Sequence, residues 1–196
     1  MLLALDTETT GVPLWSYPDP TSRAQLRAWP RLVSVAWQVV TKNGRISPEE
    51  CIAKPEGFVI PESASRIHGI SQQKAVSVGK PLEKILDTLL AVIKSDTSGT
   101  VVIAAYNCEF DYGVLVSECT RMGHALGALL QRVEWQCIMR LVKQVGSHKR
   151  HLNLKSAVQI YAPNFYDTGF HTAAGDVTAM VTLMLAIAKL EKNGKR

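Results

Sequence analysis

Asp6 and Glu8 stand one residue apart at the end of a short apolar run, Leu2, Leu3, Ala4 and Leu5. Along a strand, residues i and i+2 share a face, with Cα atoms about 6.5 Å apart. Two carboxylates so placed can converge on a metal ion, and α/β folds hold ligands at the carboxyl ends of such strands. A solvated turn capped by Asp6 and closed by Gly11 is the competing reading. Asp111 shares a helical face with Val114 and Leu115, which sets an acid on the inward stripe of a first turn. That is costly unless the acid is paired or bound to metal. Its other reading is an acid favoured by the helix N-terminal dipole. Asp176, four residues before Met180, presents the same two readings in the last helix. His171 lies five residues earlier, about 140° away around a helix, and so fits the preceding loop, free to reach the same place. Clustered carboxylates repel unless cations lie between them. Hard oxygen ligands in this number indicate Mg²⁺ or Mn²⁺ rather than zinc. Two such ions about 3.5–4 Å apart serve in-line phosphodiester displacement.

The elements that must position these residues are legible in outline. The run 2–5 predicts a buried strand ending at Asp6. Four prolines within 12–30 exclude a regular element there, apart from one or two helical turns over 22–28. Alternation over 32–40 predicts a strand, and Asn43-Gly44 a hairpin turn into a second strand over 51–60, broken at 55–57. The apolar stripe of 81–94 predicts a helix, 101–105 a strand, 109–122 a helix and 133–136 a short strand. Two helices follow, the first closed by Gly146 and the second capped by Asn153, and a last helix runs over 172–190. Early strands followed by alternating helix and strand indicate an α/β fold, a mixed sheet covered by helices.

Length and composition set the frame. The 196 residues suit one domain spanning 1–196, with 12–30 as a surface insertion. The 46% hydrophobic and 20% charged fractions exclude disordered and collagen-like chains. Cys51, Cys108, Cys119 and Cys137 form no CxxC pair, which points to buried reduced thiols in a cytoplasmic protein. The opening run lacks the basic flank of a signal peptide. The longest apolar tract, 177–188, falls short of the ~18–20 residues of a membrane span, so no membrane partner is expected. A formal charge of +5 and a pI near 9.1 favour a polyanionic partner.

At the acidic residues the chain resembles the DnaQ-like exonucleases, the DEDDh group of 3′–5′ exonucleases within the ribonuclease H-like fold. The motifs stand as Leu5-Asp6-Thr7-Glu8-Thr9-Thr10-Gly11, then Ala105-Tyr106-Asn107-Cys108-Glu109-Phe110-Asp111, then His171-Thr172-Ala173-Ala174-Gly175-Asp176. Between the first two lies Ile67-His68-Gly69-Ile70-Ser71, similar to a loop of those enzymes. The resemblance implies a five-stranded ribonuclease H-like sheet, with Asp6, Glu8, Asp111 and Asp176 holding two Mg²⁺ ions that Mn²⁺ can replace. His171 would be the general base, a role suited to an imidazole's ordinary pKa near 6.5. Thr7, Thr9, His68, Tyr106, Asn107 and Phe110 would contact the terminal nucleotide. Thr172 stands where the related tyrosine subgroup carries its Tyr, which favours the histidine subgroup. The implied activity is removal of nucleoside 5′-monophosphates from single-stranded 3′ ends, of DNA first and of RNA as the alternative. A non-catalytic module associated with nucleic acid or a polymerase is the reading from another class.

Three features depart from the family pattern: Gln136-Cys137 replaces Asp-Thr, Tyr106 replaces a frequent His, and 12–30 is longer than in the simplest members. Trp15, Tyr17 and Trp29, near Arg23, Arg27 and Arg31, read equally as a stacking and phosphate-contacting rim or as a packed insertion. The cluster His148-Lys149-Arg150-His151, with Lys155, reads as a contact for substrate backbone or as a solvated loop.

Overall fold

A computed structural model describes residues 1–40, 47–97, 99–165 and 169–194. The chain runs through β1 (Leu2–Thr9), a single 3₁₀ turn (Leu26–Ala28), β2 (Leu32–Val39), β3 (Glu49–Ile52), α1 (Glu62–His68), α2 (Gln72–Val78) and α3 (Leu82–Lys94). It continues through β4 (Val102–Ala105), α4 (Cys108–Met122), α5 (Leu126–Leu130), β5 (Glu134–Cys137), α6 (Ile138–Val145), α7 (Leu154–Tyr161) and α8 (Ala173–Gly194). The five strands form one mixed sheet in the order β3-β2-β1-β4-β5. β2 runs antiparallel to both β1 and β3, whereas β4 is parallel to β1 and β5. This is the α/β architecture expected from the sequence.

Period-2 alternation along β1 sends its residues into two cores. Leu3 and Leu5 join Val35, Leu86, Leu89 and Leu115 on the face covered by α3, α4 and α5. Ala4 joins Val142, Val158, Val177 and Met180 on the face covered by α6, α7 and α8. The small residues Ala4, Ala36 and Ala104 share that second face, which lets α8 lie close against the sheet. α8 is long and apolar enough for a membrane span by length and composition only, a property that buried core helices share. Here it packs on β1 and β2 instead, with Val177, Met180, Leu183 and Ile187 buried.

Several expected boundaries move. β1 does not stop at Asp6 but runs on to Thr9, paired with β2 as far as Leu32. The strand expected over 51–60 is only Glu49–Ile52, followed by one further bond from the Ala53 amide to Val33 O at 2.8 Å before the chain leaves β2. Residues 62–68 and 72–78, not assigned to helix from sequence, form α1, closed by a left-handed Gly69, and α2, capped by Ser71 on the Lys74 amide. The Asn43-Gly44 turn lies outside the described residues.

Candidate active site

β1 pairs with β4 only from Leu2 to Ala4, but with β2 all the way to Thr9. Past Ala4 the chain of β4 turns away into α4, and the flank of β1 that carries Asp6 and Glu8 opens into a crevice. Alternation places these two acids on the face of Ala4, under the first turn of α8. Carboxylate oxygens of Asp6, Glu8 and Asp176 all lie within 4.8 Å of one another. Three of the four expected acids therefore meet directly.

Asp111 arrives from the other face. It is buried in the first turn of α4, and its Oδ1 accepts a hydrogen bond from Thr7 Oγ1 at 2.8 Å. Thr7 lies between the two acids in sequence but opposite them across the sheet, so its hydroxyl holds the fourth carboxylate beside the trio. The electrostatics record this proximity. Burial, followed by the charges of Asp111, Asp176, Glu8 and Glu50, holds Asp6 far above the usual carboxylate range. Burial, then Asp176, Asp111 and Glu50, pushes Glu8 up to about 8. Burial lifts Asp111 to about 7, against the lowering effect of the Thr7 hydrogen bonds. Carboxylates forced together in this way require protons or a cation between them.

Glu50 was not a sequence candidate. It pairs with Ala36, which pairs with Asp6, so the two acids lie in one row across three strands. Ser34, the partner of Glu8, donates to Glu50 Oε1 at 3.5 Å. Only the strand register reveals Glu50, since sequence spacing alone does not fix which β3 residue meets Ala36.

His171 lies on the loop before α8, as its spacing to Asp176 indicates, and is exposed. Its backbone is left-handed at φ 68°, a costly conformation for a non-glycine residue, and its amide donates to Asp176 Oδ1 at 3.3 Å. Thr172 caps the helix, accepting from the Gly175 amide at 3.1 Å while its hydroxyl donates to Gly169 O at 2.8 Å. Gly175 is required for this closure, because a Cβ there would stand 2.0 Å from Gly169 O.

Most of the residues expected to contact the nucleotide have their polar atoms engaged within the fold. Thr9 is buried and its hydroxyl donates to Gly11 O at 2.6 Å. Tyr106 donates its hydroxyl to Leu152 O at 2.9 Å, and Asn107 Nδ2 donates to Tyr17 Oη at 3.1 Å. Phe110 packs on the core beneath α4. His68 is buried at the end of α1, its Nδ1 accepting from the Ile70 amide at 3.1 Å and its Nε2 without a hydrogen-bond partner. Burial lowers its pKa, against the raising effect of the Thr9 backbone.

The aromatic segment 12–30 divides between its two readings. Trp29 is buried, donates Nε1 to Pro18 O at 3.0 Å and fills the space left by Gly113, where a Cβ would stand 1.9 Å from the indole. Arg31 is ion-paired with buried Glu118 at 2.8 Å and lies 4.4 Å from the centre of the Phe58 ring. These two belong to the packing of the insertion. Trp15 and Tyr17 stay half exposed, and Tyr17 reaches the crevice through Asn107.

The protein-family model described as an exonuclease, RNase_T, matches residues 3–184. This chain belongs to that DnaQ-like exonuclease family. No curated protein matches it. Among solved structures, Exonuclease X in complex with 5′-overhanging duplex DNA superposes with a TM-score of 0.66 at 19% identity, covering 98% of this chain and 93% of the other. E. coli Exonuclease I with a dA16 oligonucleotide gives 0.73 at 18%, covering 96% of this chain and 40% of the other. The zinc-bound form of the E. coli Exonuclease I–single-stranded DNA complex gives 0.74 at 19%, covering 98% and 41%. The exonuclease-family chain thus spans about two fifths of Exonuclease I and nearly all of Exonuclease X, and it shares their ribonuclease H-like fold.

Proposed function

We propose that this protein is a metal-dependent 3′–5′ exonuclease that shortens single-stranded nucleic acid, DNA first, and releases nucleoside 5′-monophosphates. The observation that carries the reading is the meeting of Asp6, Glu8 and Asp176 within 4.8 Å, with buried Asp111 beside them. The donor set fits a divalent cation: its oxygens are hard and anionic, and their raised pKa values express charge that a cation would relieve. Asp6, Glu8, Asp111 and Asp176 would hold two Mg²⁺ or Mn²⁺ ions. When bound, such ions supply Lewis acidity toward the scissile phosphate and the leaving oxygen.

The chain's own residues supply the rest. His171 accepts the proton of the attacking water as the new P–O bond forms, and the bond from phosphorus to the 3′ oxygen breaks. The products are a nucleoside 5′-monophosphate and a strand one residue shorter. Thr7 fixes the Asp111 carboxylate, and Asn107, with Tyr17 behind it, borders the place of the terminal nucleotide. The choice of DNA rests on the structural neighbours, which hold overhanging or single-stranded DNA. The direction of digestion and the histidine subgroup rest on the motif resemblance.

The test uses DNA and RNA oligonucleotides labelled at the 5′ end, incubated with Mg²⁺, Mn²⁺ or EDTA. A metal-dependent ladder shortening from the 3′ end, absent with Asp6→Asn, is expected, with DNA degraded faster. Intact strands in every lane would remove the assignment in favour of a binding module, and faster loss of RNA would reverse the substrate.

A further inference from the structure

The cations of this basic chain gather in stretches that hold no acid. Residues 135–166 contain Arg140, Lys143, Lys149, Arg150 and Lys155 and no Asp or Glu. A second acid-free stretch, 20–48, carries Arg23, Arg27, Arg31, Lys42 and Arg45, but Arg31 there is ion-paired with Glu118. Within it lies a cavity of about 510 Å³, lined by Arg140, Lys143, Gln144, Ser147, His148 and His151. No acid lines it.

Its shape is built rather than incidental. α6 buries Ile138 and Val142 and so turns Arg140, Lys143 and Gln144 toward the cavity. The turn after α6 is pinned by a 2.8 Å hydrogen bond between His148 Nε2 and Tyr161 Oη. Three contacts join this wall to the crevice. Arg140 pairs with Glu109 in the first turn of α4, the Met139 amide donates to Tyr106 O at 2.9 Å, and Tyr106 Oη reaches Leu152 O, next to His151. These contacts set the cavity on elements that adjoin Tyr106 and the first turn of α4, from which Asp111 projects.

We infer that this cavity is a subsite for the phosphodiester backbone of single-stranded nucleic acid upstream of the cleaved end. The inference rests on the nuclease reading, and it supplies what the acids cannot. A cluster of carboxylates repels a polyanion, so attraction of the strand must come from elsewhere. Lys143 with the neutral donors Gln144 and Ser147 suits phosphate oxygens, Arg140 being held at the edge by Glu109, and salt-dependent affinity follows.

The experiment is fluorescence anisotropy of fluorescein-labelled dT12 in EDTA, which prevents cleavage. Lys143→Ala/His151→Ala should raise Kd about tenfold at low salt and flatten the plot of log Kd against log salt by about 0.7 per lost phosphate contact. Lys143→Arg/His151→Gln keeps one cation and one neutral donor and should bind as the wild type does, which separates lost contacts from lost fold. A methylphosphonate dT12, with uncharged linkages, should not distinguish the Ala variant from wild type. An unchanged Kd and slope in the Ala variant, or equal loss in the charge-keeping variant, overturns the subsite. Wild-type hydrolysis of the p-nitrophenyl ester of thymidine 5′-monophosphate in Mn²⁺ tests the nuclease reading separately. Failure there removes the activity while the binding measurement still judges the cavity.

Discussion

Thr7 shows how one residue can serve a site without standing in it. Its neighbours Asp6 and Glu8 face α8, yet its own hydroxyl crosses to the other face and fixes Asp111. Thr7→Val keeps shape and β propensity but removes the donor, and the expected result is a fall of about 10–100-fold in kcat with little change in melting temperature. Asp6→Asn and Asp176→Asn each delete an anionic oxygen from the trio and should leave no measurable turnover. Circular dichroism should show both folded, because relief of repulsion offsets the lost contacts. His171→Ala should lower kcat by about 10²–10⁴-fold while Mn²⁺ binding, read by calorimetry, stays near wild type. Loss of metal binding in that variant would place the histidine among the ligands and remove its role as base.

At the scale of elements, the first turn of α8 sets the distance between His171 and Asp176. The loop can close on the helix because Gly175 has no side chain to meet Gly169 O. Gly175→Ala must push that backbone outward, and a shift near 1 Å at a reacting group costs about 10²-fold in rate. The variant should lose activity of that order and keep its helix content; activity close to wild type would show that this closure does not position the base. Which elements were legible follows from the same physics. Helices α3, α4, α6, α7 and α8 each carry a long apolar stripe or a capping residue, and all five were expected within a few residues. Helices α1, α2 and α5 have five to seven residues, too few to repeat a stripe, and rest on caps and tertiary contacts. β1 was read as ending at Asp6 because two acids interrupt its apolar pattern. They are tolerated in a strand because β4 leaves that flank open. The meeting of the acids was legible in their places at a strand end and in first turns, and the loop position of His171 in its spacing to Asp176. Glu50 was not, because it joins the row only through the register of β2 with β3.

Across the whole molecule, charge is sorted rather than balanced. A basic segment covers α6 and α7, while the acids converge at the open end of the sheet, and the cost of that convergence makes stability depend on pH. Glu8 at about 8 and Asp111 at about 7 lie well above the ~4 of unfolded carboxylates. Between those values the folded chain holds more protons than the unfolded chain. Stability contributed by the protonated acids is therefore complete below about pH 4 and is lost as pH rises through 7 to 8. Divalent cations reverse the sign, since they bind the ionised carboxylates and displace those protons. The metal-free protein should thus show a melting temperature that falls from pH 5 to pH 8. Saturating Mn²⁺ should raise it more at pH 8 than at pH 6, with proton release detectable in weakly buffered solution. Asp6→Asn should flatten the metal-free profile and shrink the Mn²⁺ response, because it removes one charge from the cluster without touching either core. A profile that is flat in pH and indifferent to Mn²⁺ would mean that the acids neither share protons nor exchange them for a cation. The site would then have to be assigned some other chemistry.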